Sequence, residues 1–224
     1  MRVAVVTFPG SNCDRDTLKA LSRIPVEAIP VWHRDTDLAG ASAVILPGGF
    51  AYGDYLRAGA LAAHSPIMRS VRDLLERGGQ VLGICNGFQV LTESGLLPGA
   101  LAMNISRRFQ CEWVTVEVES AVPGLDLEPG DRFRLPIANG EGRYIPDPER
   151  PLGQDALLFL TYRGPGGELL SPNGSWGSVA GIASRDGRVI ALMPHPERAS
   201  AHWLGGEDGL RFLQAWVQRA EVRV

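Results

Sequence analysis

Lysine is almost missing from this 224-residue sequence. Lys19 is the only one, and the other basic residues are arginines. Against 25 acidic residues the formal net charge is −3, so no global field draws the chain toward nucleic acid or an anionic membrane. The arginine preference says nothing about function, since nucleotide composition or a warm habitat produces it. Long apolar runs are also lacking. No stretch nears the roughly 18 apolar residues of a membrane span, and the opening MRVAVVTFPGSN has no small-residue cleavage site after its short apolar run. The expectation is a soluble protein without a targeting segment. Cysteine is scarce too. Cys13, Cys85 and Cys111 are too few and scattered for a disulfide framework and lack the paired spacing of a zinc site, which favours a reducing, cytoplasmic compartment.

Apolar residues, by contrast, are plentiful. They make up 45% of the chain, ample for a packed core. Residues 2–8 form a short, valine-rich run that suits a strand buried on both faces of a parallel sheet. The spacing predicts a modest helix over 14–24, strands at 26–32 and 43–46, and a helix introduced by Ser65-Pro66 and stopped by Gly78-Gly79. A strand at 80–84 and a helix over 86–94 come next. Such alternation with short joints is the pattern of an α/β parallel sheet with helices on both faces. The second half changes character: strands at 114–118, 132–137 and 156–162 lie between Gly/Pro-rich loops. Residues 179–184 and 188–193 flank Arg185-Asp186-Gly187 as an antiparallel hairpin. A final helix begins near Asp208, with Leu210, Leu213 and Val217 on one face. No repeat, low-complexity tract or linker divides the halves, so residues 1–224 are read as one domain: a mostly parallel sheet extended by antiparallel strands. Ligands of such sheets bind beyond the C-terminal strand ends, which directs attention to the loops leaving the strands at 2–8, 43–46 and 80–84.

Gly83-Ile84-Cys85-Asn86-Gly87 has the form G-x-C-x-G, the cysteine version of a strand-to-helix nucleophile elbow. A sharp turn there leaves no room for side chains two residues either side, and a helix start favours the thiolate, the nucleophilic form. The plain alternative is a buried structural cysteine among loop glycines; strand, elbow spacing and helix coincide here, which favours the nucleophile. A base is then required. Of four histidines, His195 stands apart in Met193-Pro194-His195-Pro196-Glu197-Arg198. The prolines keep this segment from curling into helix, and residues two apart in an extended chain point the same way. His195 and Glu197 are thus presented as a base and the carboxylate that orients it. A proline-rich surface loop with incidental charges is the competing reading. His33, His64 and His202 lack such a neighbour and read as structural or solvent-exposed. Gly48 and Gly49, before Phe50, let backbone N–H groups approach a substrate as an oxyanion hole, or form a plain turn. Gln89 lies four residues after Cys85 on the same helix face, in reach of a substrate or of solvent.

Together these motifs resemble the class I, or triad, glutamine amidotransferases. Phe8–Asp16, Tyr52–Ala60, Ser171–Ser175 and Met193–Ala199 narrow the resemblance to the glutaminase subunits of phosphoribosylformylglycinamidine synthases, over residues 3 to about 200. The resemblance implies a flavodoxin-like fold. It implies that Cys85 attacks the side-chain amide of L-glutamine, that His195 oriented by Glu197 serves as acid–base group, and that a glutamyl thioester is hydrolysed. Backbone N–H groups around Gly49 and Asn86 would hold the oxyanion, and Gln89 would help grip the amino-acid end. Ammonia would pass to a separate synthetase subunit, where ATP and Mg are used, with a small third subunit bridging the two. This chain would need no cofactor or metal of its own, and it shows no P-loop. One departure stands out. Where the family has Ala-His-Gly-Glu-Gly, this sequence has Ala138-Asn139-Gly140-Glu141-Gly142; backbone contacts at Asn139 and Gly140 would survive, but not a role for an imidazole at 139.

Two other readings compete. A different acyl-transferring cysteine hydrolase, such as a peptidase or γ-glutamyl hydrolase, would share the elbow but not the segments around 9–16 and 52–60. A catalytically silent partner of a synthetase would not need nucleophile, base and acid together.

Overall fold

The computed structural model describes residues 1–221, with side-chain detail through Arg219. Eleven strands and four α-helices occur among the described residues. In chain order they are β1 (Arg2–Thr7), α1 (Asp14–Leu21), β2 (Glu27–Trp32), β3 (Ala43–Leu46), α2 (Ile67–Glu76), β4 (Gln80–Ile84), α3 (Asn86–Glu93) and β5 (Ala100–Ala102). The second half adds β6 (Gln110–Val118), β7 (Arg132–Asn139), β8 (Arg143–Ile145), β9 (Ala156–Arg163), β10 (Val179–Ser184), β11 (Val189–Leu192) and α4 (Asp208–Glu221). A nine-stranded sheet runs in the order β2-β1-β3-β4-β11-β10-β9-β6-β7, and β5 pairs with β8 in a separate ribbon. The pairings from β2 through β11 are parallel, and those from β11 to β7 are antiparallel. The mixed α/β sheet expected from the sequence is therefore present.

Composition follows position in the sheet. Val3 to Val6, Ala43 to Leu46, and Val81, Leu82 and Ile84 have no exposed surface, as central parallel strands covered on both faces must. On β7, Phe133, Leu135 and Ile137 are buried while Arg132 and Arg134 are exposed, the period-two alternation of a strand with one solvated face. Helices cover both faces at β4. Gln80 Nε2 donates to Trp216 O of α4 at 2.8 Å, while a Cβ at Gly83, of opposite parity, would meet Leu91 of α3 at 2.5 Å.

Local corrections to the sequence reading have physical causes. Ser65 does not cap α2 with its side chain; the helix enters from Pro66 at φ −50° and ψ −40°. The Ser65 hydroxyl instead meets His33 Nδ1 and Tyr52 Oη at 3.3 and 3.2 Å. His33 is buried as a structural residue and His64 and His202 are exposed. On α4 the buried stripe is wider than read, taking in Phe212, which meets Phe133 edge-on at 5.8 Å. The three-residue strands β5 and β8 were too short to give a periodic signal.

The chain order reverses direction across the sheet between β1 and β3, and the loops leaving these strands are laced together. Phe50 N donates to Gly10 O at 3.0 Å, Tyr52 N to Pro9 O at 2.6 Å and Cys13 N to Gly48 O at 3.3 Å. This switch point borders the end of β4. There the elbow glycines have a measurable reason: a Cβ at Gly83 would lie 2.7 Å from Gly87 O, and one at Gly87 would lie 1.9 Å from Leu46 O. Both obstacles are backbone. Gly87→Ala should therefore destabilise the fold by at least about 2 kcal/mol, read as a lowered midpoint in urea with an unchanged m-value.

Candidate active site

Cys85 joins β4 to α3 at φ 50° and ψ −103°. This is a rare conformation for a residue with a Cβ, and one that persists only when its surroundings enforce it. They do so here through Cys85 N, which donates to Leu192 O at 2.8 Å, and through the α3 backbone pressed against β3 at Gly87. The thiol lies beyond the C-terminal end of β4, with Sγ 3.8 Å from Ala138 O of β7.

His195 follows β11 and is fixed by its own N–H, which donates to Pro136 O at 2.8 Å. Its Nδ1 lies 2.6 Å from Glu197 Oε1, and both residues are 1% exposed. The route to this pairing differs from the extended segment read in the sequence. His195 is extended at φ −105° and ψ 90°, but Pro196–Ala199 forms one turn of 3₁₀ helix. Proline at a first helical position loses no hydrogen bond and arrives with the required φ, so Pro196 starts the turn that brings Glu197 back to the ring. Burial opposes a charge on His195, yet the Glu197 carboxylate and the Cys85 sulfur hold its pKa well above the usual imidazole value. Nδ1 as donor to Glu197 leaves Nε2 for chemistry, and Nε2 is buried without a hydrogen-bond partner.

Cys85 and His195 share a cavity of about 200 Å³ with Asn12, Cys13, Gly49, Phe50, Phe109, Cys111, Ala138 and Arg198. Gly48 lies under the imidazole: a Cβ there would come within 2.7 Å of His195 Cε1. Phe50 N–H is spent on Gly10 O, which leaves any oxyanion contact from this turn to Gly49. Phe50 and Phe109 rings, 6.3 Å apart, stand half-exposed at the mouth.

The remaining sequence candidates, Asn86, Gln89, Asn139 and Gly140, are not among the residues lining this cavity. Asn86 Nδ2 donates to Gln89 Oε1 at 2.8 Å, and Gln89 Nε2 donates to Glu141 O at 2.7 Å, so these two amides tie α3 to the 138–142 segment. Asn104, which the sequence reading passed over, holds that segment from the other side by donating to Asn139 O at 2.9 Å and accepting from Gly142 N at 2.9 Å. Gly140 O accepts from Asn104 N at 2.9 Å. Asn139 continues the inward register of Phe133, Leu135 and Ile137, and both its side-chain polar atoms are buried without partners.

Asp54 stands beside this network, with Asn86 Nδ2 3.4 Å from its Oδ1. Burial, reinforced by Glu141, pushes its carboxyl up to about 6. A carboxyl whose folded pKa is raised costs stability above that pKa and costs nothing below its unfolded value near 3.9. Asp54→Asn should accordingly raise the melting temperature at pH 7, and the pH-dependent part of this gain should vanish below about pH 4.

Residues 1–207 match the CobB/CobQ-like glutamine amidotransferase domain. The phosphoribosylformylglycinamidine synthase subunit PurQ of Thermus thermophilus is 51% identical over 97% of this chain and 98% of its own length. The chain belongs to the PurQ family of glutamine amidotransferases. The PurQ subunit of Rubrobacter xylanophilus is 48% identical over 99% of this chain and all of its own. Among solved structures, PurLQS from Thermotoga maritima superposes with a TM-score of 0.86 at 42% identity, covering 96% of this chain and 97% of the other. A glutamine amidotransferase from Thermotoga maritima superposes at 0.59 with 17% identity, covering 99% and 83%, a likeness of fold alone. In this PurQ-family chain the cavity residues missed from sequence were chiefly Cys13 and Arg198. Cys13 follows β1 at the switch point and Arg198 follows Glu197 directly, so strand-end position was the available signal.

Proposed function

We propose that this chain is the glutaminase subunit of phosphoribosylformylglycinamidine synthase, acting as one domain through a Cys85-His195-Glu197 triad. The observation that carries the reading is the meeting of a strained elbow cysteine with a buried histidine–carboxylate pair on one cavity, in a chain of this family. Cys85 as thiolate attacks the carboxamide carbon of glutamine. The tetrahedral oxyanion is met by N–H groups at Gly49 and at Asn86, whose place at the start of α3 leaves its N–H without an intrahelical partner. His195, as imidazolium, gives its proton to the departing nitrogen, so ammonia leaves and a glutamyl thioester remains. The neutral ring then takes a proton from water, the hydroxide adds to the thioester, and glutamate departs as the Cys85–carbon bond breaks. Glu197 holds the ring in the tautomer that both transfers require.

Gln89, Asn139 and Gly140 belong in this reading to the wall that shapes the amino-acid end of the pocket, Gln89 by bracing Glu141 rather than by a free amide. The ammonia is consumed by a PurL-type synthetase, with a small PurS-type subunit bridging; the PurLQS neighbour supports this assembly. ATP and Mg act in the synthetase, and this chain needs no cofactor of its own. A cytoplasmic location goes with the purine-synthetic role; no helix among the described residues is long and apolar enough to cross a membrane.

A glutaminase assay of the purified chain tests the reading. Slow glutamine hydrolysis alone, stimulated by the synthetase subunit with formylglycinamide ribonucleotide and ATP, is expected. No hydrolysis under either condition, or ATP-dependent amidation by the isolated chain, would overturn it.

A further inference from the structure

Cys13 has no part in the thioester chemistry, yet its thiol is buried against the catalytic pair. One ligand atom each from Cys13, His195 and Glu197 lies within 4.8 Å of the others, and all three residues are buried. Cys13 Sγ is 3.9 Å from His195 Nδ1, across a separation of 182 residues in sequence, which is why no spacing motif announces the cluster. A second observation points to a ligand. Glu197 Oε2 is a buried carboxylate oxygen without a hydrogen-bond partner, an arrangement folded proteins rarely leave unexplained.

We propose that Cys13, His195 and Glu197 form an inhibitory site for a thiophilic divalent cation of the zinc class. Thiolate, imidazole and carboxylate are the donor set such an ion selects, at about 2.3 Å for sulfur and 2.0–2.2 Å for nitrogen and oxygen. Tetrahedral coordination at these lengths needs ligand atoms about 3.3–3.6 Å apart. The Cys13–His195 separation is already close to this, and the 2.6 Å His195–Glu197 contact must open by under an ångström. Binding releases the Cys13 thiol proton and the imidazole Nδ1 proton, so it strengthens as pH rises. Arg198 Nη2 donates to Cys13 Sγ at 3.1 Å. Burial raises the Cys13 thiol's pKa and the Arg198 charge offsets only part of that rise, while the same charge repels a cation. Being one-third exposed and paired with Asp16 at 3.6 Å, Arg198 can turn outward. The occupied site removes the imidazole from its bond to Glu197, the arrangement the triad requires. Metal binding itself stands apart from the glutaminase reading; only its inhibitory consequence rests on that reading.

Cobalt(II), a spectroscopic substitute for zinc, separates the two. Chelator-treated wild type titrated with Co²⁺ should gain thiolate-to-metal charge-transfer absorption. That absorption should be lost in Cys13→Ser and retained in Cys85→Ser. Zinc should inhibit glutamine hydrolysis by wild type, and Cys13→Ser, measured against its own zinc-free rate, should need at least about tenfold more zinc, the loss expected even for an outer-shell change. Should Cys13→Ser misfold, slowed alkylation of Cys13 by zinc in folded Cys85→Ser decides instead. No charge-transfer band in wild type, a band that follows Cys85 rather than Cys13, or Cys13 alkylation indifferent to zinc would each overturn the site.

Discussion

Replacing Cys85 by alanine should lower the glutaminase kcat by at least about 10⁴-fold, the scale seen when a covalent nucleophile is removed from a catalytic triad. The fold should survive. Alanine keeps the Cβ and therefore the same steric demand at φ 50°, Cys85 N still reaches Leu192 O, and the lost sulfur faces the cavity rather than packed core. The melting temperature is expected to stay within a few degrees of wild type. The assembled synthase containing this variant should still amidate its nucleotide substrate from added ammonium, because only the ammonia source has been removed. Measuring both glutamine-dependent and ammonium-dependent activity distinguishes a missing nucleophile from a misassembled complex: loss of both would indicate the latter and count against the role assigned to Cys85.

Glu197→Gln should reduce kcat by about 10³ to 10⁴-fold while leaving KM within a few-fold, as expected when the group that fixes a catalytic histidine's tautomer loses its charge. The pH profile carries the more specific result. In wild type the carboxylate at 2.6 Å and the Cys85 sulfur outweigh burial and keep the imidazolium to higher pH than usual. With a neutral amide at 197, burial gains the upper hand and the ring deprotonates at lower pH. The alkaline limb of kcat against pH, set by loss of the proton donated to leaving ammonia, should therefore move toward acid. A drop in rate with no movement of that limb would mean that Glu197 serves packing rather than charge.

Much of this site was legible before any coordinates because its parts rest on local rules. The elbow glycines, the cysteine between a buried strand and a helix, and Pro-His-Pro-Glu each constrain the backbone within a few residues. The central strands were equally legible, as their complete burial leaves an unmixed apolar signature. The parts that escaped needed long-range information. Cys13 meets His195 only because the loops after β1 and β3 are laced together, and the 3₁₀ turn at Pro196–Ala199 forms because Pro196 tolerates a first helical position in a segment whose prolines argue for extended chain. Asn139 shows the limit most clearly. Its place in the register of β7 is plain from the alternation before it, but a polar side chain on that inward face, with both amide atoms unpartnered, follows from no pattern in the chain.

Everything in this mechanism turns on which residue meets glutamine. The purified chain, incubated with the chloroketone analogue of glutamine alone and with the synthetase subunit present, should take up one equivalent per chain. Peptide mass spectrometry should place it on Cys85, with excess glutamine protecting. Label on Cys13 or Cys111, or labelling indifferent to glutamine, would contradict it.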